Sequence, residues 1–391
     1  MTVPLSVLDL VLTSSGQSAA EALSSSIELA RHADRLGYRR FWLAEHHLYP
    51  GGAGSASYLL APTIVHATSQ IRVGVAVLVI DNYSPLQVAE IAGTVAAIGG
   101  RGFDLGIGRG GPSVEQRARA KETNRKLEAG EIQPGPVAPF REVDGVVIPS
   151  FCAAPFADVR AGLNDRLLSR TPGNPADFGE QTRDVLGFLD GTYQAQEGVP
   201  VVATPAHGAE NVQVWVHGSS AGVSASVAGA LGLPFGANYH ALPQQILETV
   251  AAYREAFVPS PEHPNPYVIV SADVLVAESN EQAAELAAPF RPWLHGIRTE
   301  YVAQPYPSPA EAAALPWSDE HEAIVSDRLA SRIVGSPKTV VRRLQALVAA
   351  TGADELVITT QAHALADRVR SYRLLADAWR SEHSRARSPI T

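Results

Sequence analysis

The sequence predicts an α/β fold, a (β/α)8 TIM barrel with long insertions at the C-terminal face of its strands. Strand-like and helix-like runs alternate four times within roughly the first 110 residues. The strand runs are almost continuously apolar, the pattern of a parallel sheet covered by helices on its outer face. After a gap the alternation resumes, and the strand–helix units total eight. Counting alone leaves an open doubly wound sheet as the alternative.

Val3–Leu10 is the first strand, and Ala19–Leu36 follows with Ala22, Leu23, Ile27, Ala30, Ala33 and Leu36 at helical spacing. Gly37 stands where a helix ends in a left-handed residue. Arg40–Ala44, Ile71–Ile80 and Phe103–Gly108 are the next strands, separated by helices over Ser57–Ser69 and from Pro85 to Ile98. Pro85 suits a first helical turn. Later strands are Val212–Val216, Leu233–Asn238, Val268–Val276 and Glu355–Thr360. The later helices are Phe178–Tyr193, Ser219–Leu231, Pro243–Phe257, Glu281–Ile297, Pro337–Ala350 and Ala364–His383, with Ser384–Thr391 expected to fray.

Two stretches fall outside the alternation, at about 115–177 and 303–330. Both leave the barrel on the side where strands end, so lids or substrate walls are expected there. The domain expected is one barrel over residues 1–391 that carries these two insertions.

The composition, 46% apolar and 18% charged, suits an enzyme with a large core, and the net charge of -9 argues against nucleic acid or an anionic membrane as partner. Cys152 is the only cysteine, so no intramolecular disulfide forms and a reducing, cytoplasmic setting is expected. The first residues lack the basic start of a signal peptide, and the apolar runs are too short to span a bilayer as helices.

Three motifs carry possible chemistry. Glu45-His46-His47 directly follows the second strand, where barrel enzymes place catalytic groups. Successive strand residues face opposite ways, so at most one of the two histidines turns into the pocket. A histidine there can transfer a proton near neutrality; the plainer reading is a pair that hydrogen-bonds neighbouring loops. Adjacent residues converge poorly on one ion, no HxH or HExxH motif accompanies them, and no metal is expected. The second motif, Gly106-Ile-Gly-Arg-Gly-Gly111, formally matches GxGxxG but ends the fourth strand rather than the first. Small residues there admit a planar ligand, and Arg109 offers a cation to a phosphate; a glycine-rich turn with a solvated arginine is the alternative. The third, Val216-His-Gly-Ser-Ser-Ala221, places Gly218, Ser219 and Ser220 at a strand-to-helix junction suited to phosphate, although serine is also an ordinary helix cap. With Arg109 it makes one coherent anion pocket.

In order and spacing these segments resemble the bacterial luciferase-like monooxygenases, especially the group that begins with an SVLDL-type strand. The matching pieces are Ser6-Val-Leu-Asp-Leu10, the run from Ala33 to His47, Ile71-Arg-Val-Gly74, Asn82-Tyr-Ser-Pro85 with Ala89-Glu90, and the run from Gly99 to Arg109. Phe178-Gly-Glu180, Gly218-Ser-Ser220 and Leu231-Gly-Leu-Pro-Phe235 continue it. The resemblance implies a barrel that binds reduced FMN, supplied by a separate flavin reductase, at the strands' C-terminal ends. It also implies that O2 adds at the flavin C4a position and that the resulting hydroperoxide oxidises a small organic substrate. His46 matches the family's catalytic base, with Glu45 and His47 its neighbours. Arg109 matches the arginine on the flavin phosphate, and Gly218, Ser219 and Ser220 lie in the matching loop. Ala76, Val77 and Asn82 fall where the third strand backs the flavin ring. His240 is a further pocket residue by position. Barrels of this kind are commonly homodimers.

The sequence departs from the family at Asp81, where proline is frequent, and in the residues after Arg109, so substrate identity does not carry over. Two further functions stand beside the first on the same scaffold: an F420-dependent oxidoreductase and a flavin-binding protein without turnover. The match at His46 and Arg109 speaks against the latter. A metal-dependent barrel hydrolase is the fourth.

Overall fold

In the computed structural model, which describes residues 3–111, 114–168, 177–199, 201–209 and 211–387, eight parallel strands close on one another. They are β1 (Leu5–Asp9), β2 (Arg40–Leu43), β3 (Arg72–Val79), β4 (Phe103–Gly108), β5 (Val212–Gly218), β6 (Phe235–Asn238), β7 (Val268–Val276) and β8 (Glu355–Thr359). Each pairs with the next in chain order, and β8 returns to β1 with Leu5 opposite Leu356. That last pairing makes a closed barrel and removes the open sheet as a reading. A ninth short strand, Ile333–Gly335, pairs only with the end of β7.

Every strand is buried on both sides, so the period of two sorts residues between two apolar environments rather than between core and water. Phe41, Leu43, Val73, Val75, Leu105, Ile107, Val214 and Val216 face outward into the main core beneath the helices. The other parity fills the barrel. Helix ends follow local chemistry. Ser18 with Glu21 and Ser84 with Gln87 form capping boxes, and Pro85 opens its helix at the position that needs no N–H. Gly37, at φ +78°, takes the left-handed turn after the first helix.

Several predicted helices differ from the observed ones; Phe178–Tyr193 ends at Asp190, and Pro243–Phe257 opens with a 3-10 turn before the helix Ile246–Ala256. Glu281–Ile297 is two helices, Asn280–Ala287 and Phe290–Glu300, because Pro289 brings no N–H to continue the hydrogen-bond ladder. Ser219–Leu231 shortens to Val223–Ala230. The last helix runs on to Arg387, past the expected end at His383, and residues 388–391 lie outside the described residues.

The two insertions are structured. The first, part of which (169–176) lies outside the described residues, holds helices Val114–Glu128 and Asp158–Leu167 and the hairpin Arg141–Val143 with Val146–Ile148. The second holds helices Pro309–Ala314 and Asp319–Ser331. Helix Asp319–Ser331 packs on that hairpin, on a second short pair in the first insertion, Gly135–Pro136 with Cys152–Ala153, and on Phe290–Glu300. Between them a separate apolar cluster forms from Phe290, Trp293, Leu294, Ala303, Tyr306, Ile324 and Val325, with Ala154, Tyr49, Leu10 and Leu12 packed against it. The two excursions are therefore one wall over the strands' C-terminal ends.

Candidate active site

The barrel interior is built in layers. At the N-terminal end Arg40 reaches Asp104 through Nε at 2.9 Å and also bonds Glu355. Glu355 accepts from Ser6 Oγ at 2.5 Å and Tyr267 O–H at 3.0 Å, and Arg72 adds a second cation to Asp104. Above this lie the indoles of Trp42 and Trp215, edge to face at 5.5 Å. These two layers seal one end and leave the C-terminal end for chemistry.

His217 stands on the tryptophan floor, its ring 5.3 Å from that of Trp42. It follows Gln213 and Trp215 at the inward parity of β5. Gly106 on β4 and Gly236 on β6 make room for it: a methyl group at Gly106 would lie 2.9 Å from His217 Nε2, and one at Gly236 would enter the ring. The glycine-rich motif therefore admits a planar group, and at Gly106 that group is the protein's own imidazole. The motif Val216–Ala221 contains His217 without giving it a place in the pocket; strand alternation through Gln213 and Trp215 is the signal that could have found it.

His46 continues the inward parity of Arg40, Trp42 and Ala44, while Glu45 turns the other way. Glu45 is buried and accepts from His47 Nε2 at 2.7 Å, Asn82 Nδ2 at 2.9 Å and the Val79 N–H at 3.3 Å. It ties His47 and Asn82 to the end of β3. His46 is held by its own N–H to the Gly54 carbonyl (3.1 Å) and by stacking on Tyr49, with ring centroids 5.5 Å apart. Its Nδ1 is buried and has no hydrogen-bond partner. Burial pushes His46 down to about 4 against the opposing pull of Glu45.

Beyond the end of β6, His240 shares Nδ1 with Ser271 Oγ at 2.6 Å. Burial, then the charge of Arg328 and the neighbouring His46 and His217, lowers it to about 3. His217 is lowered to about 4 by burial, and its Nε2 also lacks a partner. Three neutral imidazoles thus share the mouth, and two present unsatisfied nitrogens. All three are unprotonated at neutral pH, and the open nitrogens of His46 and His217 can hydrogen-bond a bound group.

On the β4–β5 side, Arg109 is exposed and makes no ion pair or hydrogen bond among the described residues. The turn beside it is fixed by the Gly110 N–H to Asp81 at 2.8 Å, so the departure at Asp81 has a structural use. Ile107 lies opposite Val216, which brings Arg109 and Gly218 out at adjacent strand ends. Ser219 Oγ accepts from Asn238 Nδ2 at 3.1 Å. The helix begins only at Val223, and its N-cap Gly222 makes no side-chain bond. Ser219 and Ser220 therefore occupy the turn before the helix rather than its first turn, and the helix's first N–H groups stay open. Ala76 and Val77 lie where β3 slips register against β4, and the peptide between them is cis.

These features fit a phosphate-bearing planar cofactor: a free guanidinium, an uncapped helix start, and orphaned polar nitrogens over an aromatic floor. Among the described residues no group of three or more His, Cys, Asp or Glu side chains could hold a metal ion. No described helix is long and apolar enough to cross a membrane.

Comparison with known proteins agrees with this architecture. The sequence profile of the luciferase-like monooxygenases matches residues 3–130 and 182–355, leaving out 131–181 within the first insertion. A protein named luciferase-like monooxygenase from Escherichia coli (strain K12) is 30% identical over 96% of this chain and 97% of its own. The crystal structure of apo-MsnO8 superposes with a TM-score of 0.74 at 32% identity, covering 97% of this chain and 98% of that one. The oxygenating constituent of 3,6-diketocamphane monooxygenase from Pseudomonas putida, in complex with FMN, shares the fold at 17% identity, with a TM-score of 0.58 and coverage of 97% and 98%.

Proposed function

The chain belongs to the luciferase-like monooxygenase family, and on that premise we propose that it uses reduced FMN and O2 to oxidise a small organic substrate. The observation that carries this is the unpartnered, buried Nδ1 of His46 at the open end of a barrel sealed at the other. Reduced FMN, delivered by a separate reductase, supplies the electrons that activate O2. The chain's residues do the rest. Arg109 and the Gly218-Ser219-Ser220 turn with the open helix at Val223 hold the phosphate. The Ala76–Val77 segment would back the flavin, and the Trp42–Trp215 layer, with His217 on it, closes the barrel below the site. His46, neutral because buried, takes or returns a proton at Nδ1, while Glu45 keeps Asn82 and His47 fixed to the strand ends around it. His47 and His240 line the substrate side.

Anaerobic titration with reduced FMN, followed by admission of O2 and analysis of substrate, tests the reading. Binding followed by oxygen-dependent product supports it. Tight binding of F420 in place of FMN, with hydride transfer indifferent to O2, would replace it.

A further inference from the structure

Three guanidiniums and two carboxylates meet where the second insertion joins the barrel. Arg298 pairs with Asp327 at 2.7 Å and Arg332 with Asp273 at 2.9 Å. Arg328, on helix Asp319–Ser331, makes no ion pair among the described residues, so the cluster carries one positive charge in surplus. Its Nη1 donates to the Ala241 carbonyl at 3.3 Å, its Nε is buried without a partner, and its guanidinium lies 6.0 Å from the Phe290 ring centre. Ala241 follows His240, which bonds Ser271 beside the pocket. Burial lowers Arg328 to about 10, so it stays charged at neutral pH.

The first insertion repeats the arrangement. Arg160 donates to the Leu48 carbonyl at 3.1 Å, two residues beyond His46, and its Nε is likewise buried and unpartnered. Each insertion thus brings one arginine to a carbonyl beside a histidine of the mouth. The carboxylates nearest Arg328, Asp273 and Asp327, are each paired with another arginine, and a guanidinium fork left over matches a carboxylate in two parallel bonds. Among the described residues the carboxylates at the mouth are already engaged, Glu45 by His47, Asn82 and the Val79 N–H and Asp81 by the Gly110 N–H.

We propose that the pocket takes a substrate bearing a carboxylate or similar oxyanion, with Arg328 the residue that selects it. This rests on the mouth being the active site but not on the identity of the flavin. The place proposed for the flavin phosphate is different, at the ends of β4 and β5, whereas Arg328 meets Ala241 beyond β6.

The test titrates the full chain with benzoate and with its neutral isostere benzamide, read by calorimetry and by fluorescence of the tryptophans below. Benzoate should bind at least about tenfold more tightly than benzamide. Arg328→Met should remove that preference and leave benzamide affinity and FMN affinity unchanged, and Arg328→Lys should restore part of it. Absence of a benzoate preference in the unaltered protein overturns the inference without any variant having to fold. So does an equal loss for both probes in Arg328→Met. If that variant weakens FMN but not riboflavin, the guanidinium serves the flavin phosphate and the substrate assignment falls. Failure to bind FMN at all would instead count against the proposed cofactor and leave the benzoate result standing.

Discussion

The two ends of the barrel bury polar groups in opposite ways. At the N-terminal end Arg40, Asp104, Glu355, Ser6 and Tyr267 satisfy one another, each charge facing an opposite charge at close range. At the C-terminal end His46 and His217 keep nitrogens without partners, and burial holds both neutral. A buried polar group without a partner costs free energy, so a protein that pairs every charge at one end and leaves imidazole nitrogens open at the other is arranged for something to enter there. The closed end stabilises; the open end binds.

The strongest way to break this contrast is Arg40→Met. Removing the cation leaves Glu355 buried with no comparable partner, a loss of about 3–5 kcal/mol in folding stability. Urea denaturation should show it, while the folded fraction should bind FMN as before; an unchanged midpoint would mean the plug is not structural. His46→Ala should do the reverse. Turnover should fall about 10²-fold with little change in the urea midpoint, and full turnover would remove His46 from the chemistry.

The pH dependence sharpens the comparison. Unfolded imidazoles titrate near about 6.5, whereas His46 and His217 do so at about 4 and His240 at about 3 in the fold. As pH falls the unfolded chain takes up protons first. Stability is therefore full above about pH 6.5 and is lost progressively toward pH 4, each histidine contributing about 1.4 kcal/mol per pH unit. Urea midpoints at several pH values should fall less steeply in His217→Gln; the same slope would show that His217 is not buried in its neutral form. The smallest effect belongs to Arg109→Ala. An exposed charge contact contributes up to about 1 kcal/mol, so FMN should weaken about fivefold. Riboflavin, which has no phosphate, should be unaffected. Equal losses would move the phosphate elsewhere.

All eight barrel strands are legible because their apolar runs end at turn residues; strand alternation admits one histidine of the pair to the pocket, and the family resemblance selects His46. What was not legible depended on closure of the chain. Arg40 and Glu355 lie 315 residues apart, and nothing local links them. Helix Val114–Glu128 buries no side chain, so it carries no apolar stripe from which its period can be read. Helix Asp319–Ser331 starts on a capping box closed by His321 rather than by Glu or Gln, which hides its beginning. Arg328 and Arg160 acquire meaning only when the insertions that carry them fold back over His240 and His46.

The wall these insertions build has a consequence for anyone who would re-engineer the enzyme. Its apolar cluster draws on Ala154 from one segment, on Ile324 and Val325 from the other, and on Tyr49 from the loop that carries His46. Transplanting residues 131–181 alone from a relative would set a foreign surface against helix Asp319–Ser331 and disturb the stacking beneath His46. The unit of exchange is the pair of segments together, and a new specificity would have to be grafted as both halves at once.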